Sequence, residues 1–293
     1  LTIAFWVLGG FAVLDRWTLS FGYSPVHTGL LLFVVFGALQ SLLSLPFEWH
    51  NTFSLEAKYG FNKTTVGTFI MDRVKGAILS AVLGLPLGAL VLWLFETQPL
   101  AALYGWLVVT AFSLLVSWAA PVFLMPLFMK FTPLEDGALR EAILALGQRL
   151  HFPVQEIYLV DGSRRSSKAN AFFTGFGKSK RIALFDTLLV GHSQDEIVAV
   201  LAHEIGHAKL KHVPQHLVVG LLQTALLFGL LHFALHDTRL YAAFGVGHPS
   251  YAMGLILFSL VYRPWSVLLD APLQVITRRH EFEADSFAAR AMG

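Results

Sequence analysis

Cysteine is absent from the 293 residues. No disulfide staple, thiolate nucleophile or cysteine-ligated zinc is therefore available. Charge is scarce too: Asp, Glu, Lys and Arg make up 14% of the chain, against about a quarter in soluble domains. Hydrophobic residues make up 55%. That balance excludes a soluble enzyme and a disordered chain, and leaves a membrane protein. A formal net charge of +2 provides no basic surplus for a nucleic-acid partner. The sequence opens on Leu1 and stops at Gly293 inside a helical pattern, so trimming is expected at both ends.

A bilayer-crossing helix needs roughly 20 mostly apolar residues. Residues 28–45, 77–95, 100–123, 217–235 and 251–269 meet or approach that length, and residues 1–14 read as a sixth, shortened span. Pro86, Pro121, Pro126 and Pro264 are tolerable there, because neighbouring helices can satisfy the freed backbone groups. Basic residues set the orientation. Alternate polar segments (47–75, 130–213 and the tail after 269) hold 18 of the 21 Lys and Arg residues. These segments should be cytoplasmic, and the sequon Asn62-Lys63-Thr64 then faces the wrong side for glycosylation. The chain thus divides into residues 1–129 with four spans and a cytosolic loop, a cytoplasmic insertion over 130–213, and residues 214–293 with two spans and a polar helix.

The insertion is expected to be α+β. Leu139, Ile143, Leu146 and Leu150 recur with helical period over 134–150, and 156–160 reads as a strand before Asp161-Gly162. Residues 169–175 and 181–185 flank Gly177-Lys178-Ser179-Lys180 as a β-hairpin. Ser193 and Glu196 form a capping box that opens a helix expected to run to about His212, ahead of Pro214.

That helix carries His203-Glu204-Ile205-Gly206-His207. Residues four apart lie one turn above each other, so both imidazoles can share one Zn²⁺, and Glu204 on the adjoining flank can take a proton from water. The pattern arises by chance in roughly one to two per cent of such sequences. Zinc needs a third protein ligand. Arg278-Arg279-His280-Glu281-Phe282-Glu283-Ala284-Asp285 offers Glu281 and Asp285 on one helical face: one carboxylate can bind metal while the other holds a ligand imidazole by its remaining N–H. Glu283 projects elsewhere. His212 and His216 are read as supporting or structural, not as ligands.

With these motifs the chain resembles the type I CAAX prenyl endoprotease family of integral-membrane zinc metalloproteases. Two further stretches carry the resemblance: Asn170-Ala171-Phe172-Phe173-Thr174-Gly175-Phe176-Gly177, and the loop from Phe53 to Thr64 (FSLEAKYGFNKT), which separates the family from shorter heat-stress membrane proteases. The resemblance implies that His203, His207 and Glu281 bind one zinc, that Glu204 is the general base, and that Asp285 supports a ligand histidine. It also implies that Asn170, Ala171 and Phe172 hold the substrate backbone by strand addition. The fold so implied is mostly α, a polytopic ring of seven helices around an intramembrane chamber, six of them visible here. The family's first span and a C-terminal segment with an oxyanion-stabilising histidine would lie outside this sequence.

The expected partners are a peptide or protein substrate prenylated at its C-terminus and membrane lipid, with the chain a monomer. A bacterial cytoplasmic membrane is expected in preference to the endoplasmic reticulum, with the catalytic site on the cytoplasmic side. Arg263, Asp270, His232 and His236 in or beside spans suggest a wet interior. A quality-control protease of the same chemistry is the enzymatic alternative. The non-enzymatic one is a transporter or structural membrane protein, against which no pair of interrupted helices or inverted repeat is found.

Overall fold

The computed structural model describes residues 2–174 and 180–293. Among the described residues eleven α-helices and four strands follow in order: α1 (Thr2–Val7), α2 (Gly10–Leu19), α3 (Pro25–His50), α4 (Val66–Thr97), α5 (Ala101–Ala119), β1 (Phe131–Pro133), α6 (Ala138–Arg149), β2 (Val154–Val160), β3 (Ala171–Thr174), β4 (Lys180–Phe185), α7 (Asp186–Gly191), α8 (Gln194–Lys209), α9 (His212–His236), α10 (Thr238–Ala243) and α11 (Tyr251–Met292). Five helical stretches among the described residues are long and apolar enough to cross a membrane: Pro25–Glu56, Val66–Thr97, Ala101–Leu127, His212–His236 and Tyr251–Met292. Large apolar side chains such as Leu42, Val82, Leu115, Leu222 and Phe233 stand exposed along them. Burial of those faces requires lipid, since water would not tolerate so much contiguous apolar surface.

The sixth expected span is corrected. Residues 2–19 form two short helices, because Gly9 sits at φ +74 and interrupts the helical backbone. Elsewhere the helices outrun their apolar cores. α3 continues through a π-helical turn, Asn51–Glu56. The stretch starting at α5 loosens into π and 3₁₀ turns over 120–127, where Pro121 and Pro126 remove donors. α11 joins the last apolar stretch and the Glu281–Asp285 segment in one helix.

The chain resolves into two compact units. One contains Leu1–Trp49, Gly76–Ser113 and Val219–Ala271. Its core packs Phe11, Leu32, Leu92, Met253 and Leu257, and beside them Phe95, Phe228 and Leu231. A methyl group on Gly29 would lie 2.6 Å from a Leu92 carbon, so α3 approaches α4 closely there. Arg263 lines a cavity of about 900 Å³ among Phe5, Phe11, Phe36 and Leu43, and Asp270 accepts a long hydrogen bond from Gln223 at 3.4 Å.

The second unit contains His50–Lys75, Leu114–Val218 and Pro272–Gly293. Its sheet has the order β1-β2-β4-β3, with β1 antiparallel to β2, β2 parallel to β4 and β3 antiparallel to β4. The hairpin strands β3 and β4 pair as expected, with Ala171 opposite Leu184; of the expected turn Gly177-Lys178-Ser179-Lys180, the first three residues lie outside the described residues and Lys180 begins β4. One expectation shifts. β1 precedes the helix expected from 134, so α6 begins only at Ala138, after Leu134 N–H has bonded to Ile157 O. α6, α7 and α8 cover the sheet through Ile143, Leu146, Ile182, Leu184, Leu201 and Ile205.

The loop over 57–64 is stitched to the chain just before β3. Asn62 bridges Ser166, Lys63 N–H and Thr64 Oγ1–H both donate to Arg165 O, and Ser167 N–H donates to Phe61 O. Below it, the Arg165 guanidinium grips both Asp72 carboxylate oxygens at 2.8 and 2.9 Å. Both side chains are partly buried, and the fork geometry makes this pair stronger than a surface bridge. Asp72→Ala should therefore cost about 1–2 kcal/mol and speed proteolytic nicking around residues 165–170. Unchanged nicking and thermal midpoint would show that the loop is held by its backbone bonds alone.

Candidate metal centre

α8 presents the metal motif because its start is fixed. The Ser193 hydroxyl accepts Glu196 N–H, and the Glu196 carboxylate accepts Ser193 N–H at 2.7 Å. From that cap the apolar face (Ile197, Leu201, Ile205) seats on the sheet, leaving His203, Glu204 and His207 half-buried on the other side. Gly206 then lets α11 come close: a methyl at this position would meet Phe287 at 3.2 Å and the Ala284 backbone at 3.3 Å. Gly206→Val is expected to overpack this contact by about 1–3 kcal/mol and to weaken metal binding with it. A thermal midpoint equal to wild type would sink that account.

The close approach brings Glu281 and Asp285 to the two histidines. His203 Nε2 and His207 Nε2 lie 3.1 Å apart, with Glu281 oxygens 3.5 Å from the first and 3.7 Å from the second. Donors about 2.0–2.2 Å from one tetrahedral ion would be about 3.3–3.6 Å apart. The three side chains thus have the chemistry and spacing of a metal site. Asp285 Oδ1 lies 2.8 Å from His203 Nδ1. A carboxylate only accepts here, so the proton is on Nδ1 and the Nε2 lone pair is free for metal.

Electrostatics fit the same use. Partial burial pushes the Glu204 carboxyl above the ordinary glutamate range; His203 opposes the rise and Glu281 adds to it. Burial also lowers the His207 pKa, against the pull of Glu281, which favours the neutral ring that a metal requires.

Of the residues singled out for substrate, Ala171 is buried in the core and Phe172 packs edge-on near Phe185. Exposed Asn170 receives Ala171 N–H on its side chain and Phe185 N–H on its carbonyl. β3 lies at the sheet's end, with β4 as its one strand partner among the described residues.

Two features escape a linear reading. α8 ends at Lys209, and Lys211 at φ +60 reverses the chain, so His212 starts α9 instead of continuing α8; Pro214 sits in the first turn of α9, where no N–H is needed. His212 thereby faces His207. Glu283, on a different side of α11 from Glu281, reaches His212 and not the three-donor site. His212, His280 and Glu283 form a second group of potential ligands. Their geometry argues against a second ion: the two rings stack 4.0 Å apart at 7°, so their in-plane lone pairs run parallel and do not converge. Every nitrogen in those rings already has a polar partner.

Known proteins match this architecture throughout. Residues 1–130 match the model described as CAAX prenyl protease N-terminal, five membrane helices, and residues 133–293 match Peptidase family M48. The chain is 40% identical to CAAX prenyl protease 1 homolog of Arabidopsis thaliana, over 98% of this chain and 68% of that protein. It is 38% identical to CAAX prenyl protease 1 of Saccharomyces cerevisiae, over 91% of this chain and 63% of that one, and 33% identical to the human homolog, over 92% and 66%. It therefore spans roughly two thirds of the length of these relatives. The crystal structure of S. mikatae Ste24p superposes with a TM-score of 0.92 at 34% identity, covering 99% of this chain and 72% of that one. The family models cover both parts of the chain and the fold likeness spans nearly all of it, so the chain belongs to peptidase family M48 as a multi-pass membrane metalloprotease.

Proposed function

We propose that the protein hydrolyses a peptide bond near the prenylated C-terminus of membrane-associated polypeptides, using one zinc ion held by His203, His207 and Glu281. The observation that carries the reading is the spacing of the three donors, with Asp285 directing His203 and Glu204 beside them. When bound, the ion would supply Lewis acidity, polarising the scissile carbonyl and acidifying a water molecule.

The chain's own residues do the rest. Glu204 accepts a proton from the attacking water and returns it to the leaving amine. Its partial burial suits the second role, because a carboxyl held above its usual pKa keeps a proton more readily. β3, with Asn170 just before it, lies at the sheet's end and offers backbone N–H and C=O groups for an added substrate strand. The relatives named CAAX prenyl proteases support the prenylated substrate class. The concentration of Lys and Arg in segments 47–75, 130–213 and the tail supports a catalytic unit on the cytoplasmic side. The expected bacterial membrane gains nothing from relatives in plants, fungi and animals.

Purified protein in detergent or nanodiscs tests the proposal by zinc analysis and cleavage of a farnesylated C-terminal peptide beside its unfarnesylated twin. One zinc per chain and a marked preference for the farnesylated peptide are expected. Equal cleavage of unprenylated membrane polypeptides would move the protein to quality control. Absence of zinc would overturn the metal site and the proposed mechanism with it.

A further inference from the structure

Behind His207, on the side away from His203 and Glu281, runs a chain of hydrogen-bonded groups. His207 Nδ1 lies 3.0 Å from His212 Nδ1, His212 Nε2 lies 3.2 Å from Glu283 Oε2, and Glu283 Oε1 accepts Arg279 Nε–H at 2.7 Å. His212 is 1% exposed, so water does not supply an alternative partner.

The proton positions follow from the far end. Glu283 is an ionised carboxylate paired with Arg279 and can only accept, so the hydrogen between it and His212 belongs to Nε2. A neutral ring with that hydrogen has a bare Nδ1. The hydrogen between the two rings must then sit on His207 Nδ1, which leaves the His207 Nε2 lone pair directed at the metal site. His280 holds the His212 ring plane by stacking at 4.0 Å, and is itself tied to Gln215 at 2.8 Å and His216 at 3.0 Å. Asp285 performs the equivalent task for His203. The two ligand histidines are thus oriented differently: one by a carboxylate directly, the other through a second imidazole.

We infer that His212 and Glu283 are positioning residues that fix the tautomer and direction of His207, so that metal affinity depends on two side chains outside the ligand set. This rests on the reading of His203, His207 and Glu281 as zinc ligands. Outer partners of this kind typically contribute 10–100-fold to metal affinity. They do so by raising ligand basicity and by removing the tautomer in which Nε2 carries the hydrogen.

The test is chelator-competition measurement of zinc affinity on the full chain, with thermal unfolding run in parallel. His212→Ala should weaken zinc about 10–100-fold. His212→Asn should restore most of the loss, because its Oδ1 stands where the imidazole Nδ1 stood and accepts the same N–H. Glu283→Leu should weaken zinc as well, since the hydrogen on His212 is then free to move to Nδ1 and face His207. Should His212→Ala fail to fold, the contrast between His212→Asn and Glu283→Leu decides. Wild-type affinity in folded His212→Ala and Glu283→Leu would overturn the inference while one zinc per wild-type chain left the metal site standing. A folded His212→Asn as weak as His212→Ala would also overturn it, reducing His212 to packing. No zinc in the wild type would overturn both readings together.

Discussion

Glu204→Gln should lose about 10²–10⁴-fold in kcat on a farnesylated peptide while keeping its zinc and its fold. Gln has the same shape and reach as Glu, so the half-buried pocket on α8 stays filled. Its amide cannot accept the proton that the attacking water must give up. Glu204 is not one of the three donors spaced 3.1–3.7 Å apart, so the metal should remain. The direction of the carboxyl's pKa adds a second expectation. Burial disfavours the charged form of Glu204, and Glu281 does so further. Removing the charge therefore costs the fold nothing, and a thermal midpoint equal to or slightly above wild type is expected. The measurement is kcat, zinc stoichiometry and unfolding on the same preparations. A kcat within tenfold of wild type, with one zinc bound, would require another base.

How much of this was legible in the sequence depends on the range of each interaction. The α8 start was readable because the capping box is a contact between residues three apart. The pairing of His203 with His207, and of Glu281 with Asp285, was readable because helical spacing alone sets it. The spans were readable from apolar length, although the Gly9 break turned residues 2–19 into two helices. What stayed hidden needed partners far along the chain. β1 is three residues ending in proline, and only its pairing with β2 makes it a strand. β2 lies parallel to β4, so neither sequence neighbourhood reveals the other. By sequence spacing alone His212 continues α8, whereas Lys211 at φ +60 turns it back onto His207. Gly206 did leave a signal. A glycine inside a helix costs about 1 kcal/mol relative to alanine, and here the absent side chain is what admits Ala284 and Phe287.

Glu281→Ala should separate the metal site from the fold more sharply than any other change. It removes one of three donors and leaves two imidazoles 3.1 Å apart, a pair that zinc can still visit but not hold tightly. Structural zinc sites in zinc-finger peptides draw roughly 10–16 kcal/mol from their full ligand sets. Loss of one should then weaken binding on the order of a thousand-fold, well beyond the 10–100-fold expected of Asp285→Ala, which removes only a partner of His203. The fold should respond in a particular way. In the wild type the ion would tie α8 to α11, and a ligand that binds only the native state raises stability in proportion to the logarithm of its concentration over Kd. A chelator should therefore lower the wild-type thermal midpoint clearly. In Glu281→Ala it should change almost nothing, because little zinc is bound at the start. Without metal the variant should match the chelated wild type or slightly exceed it, since Glu281 also helps push the Glu204 carboxyl up. Unchanged zinc affinity in Glu281→Ala would show that α11 contributes a different ligand, and Asp285, one turn further along and already against His203, would be the residue to replace next.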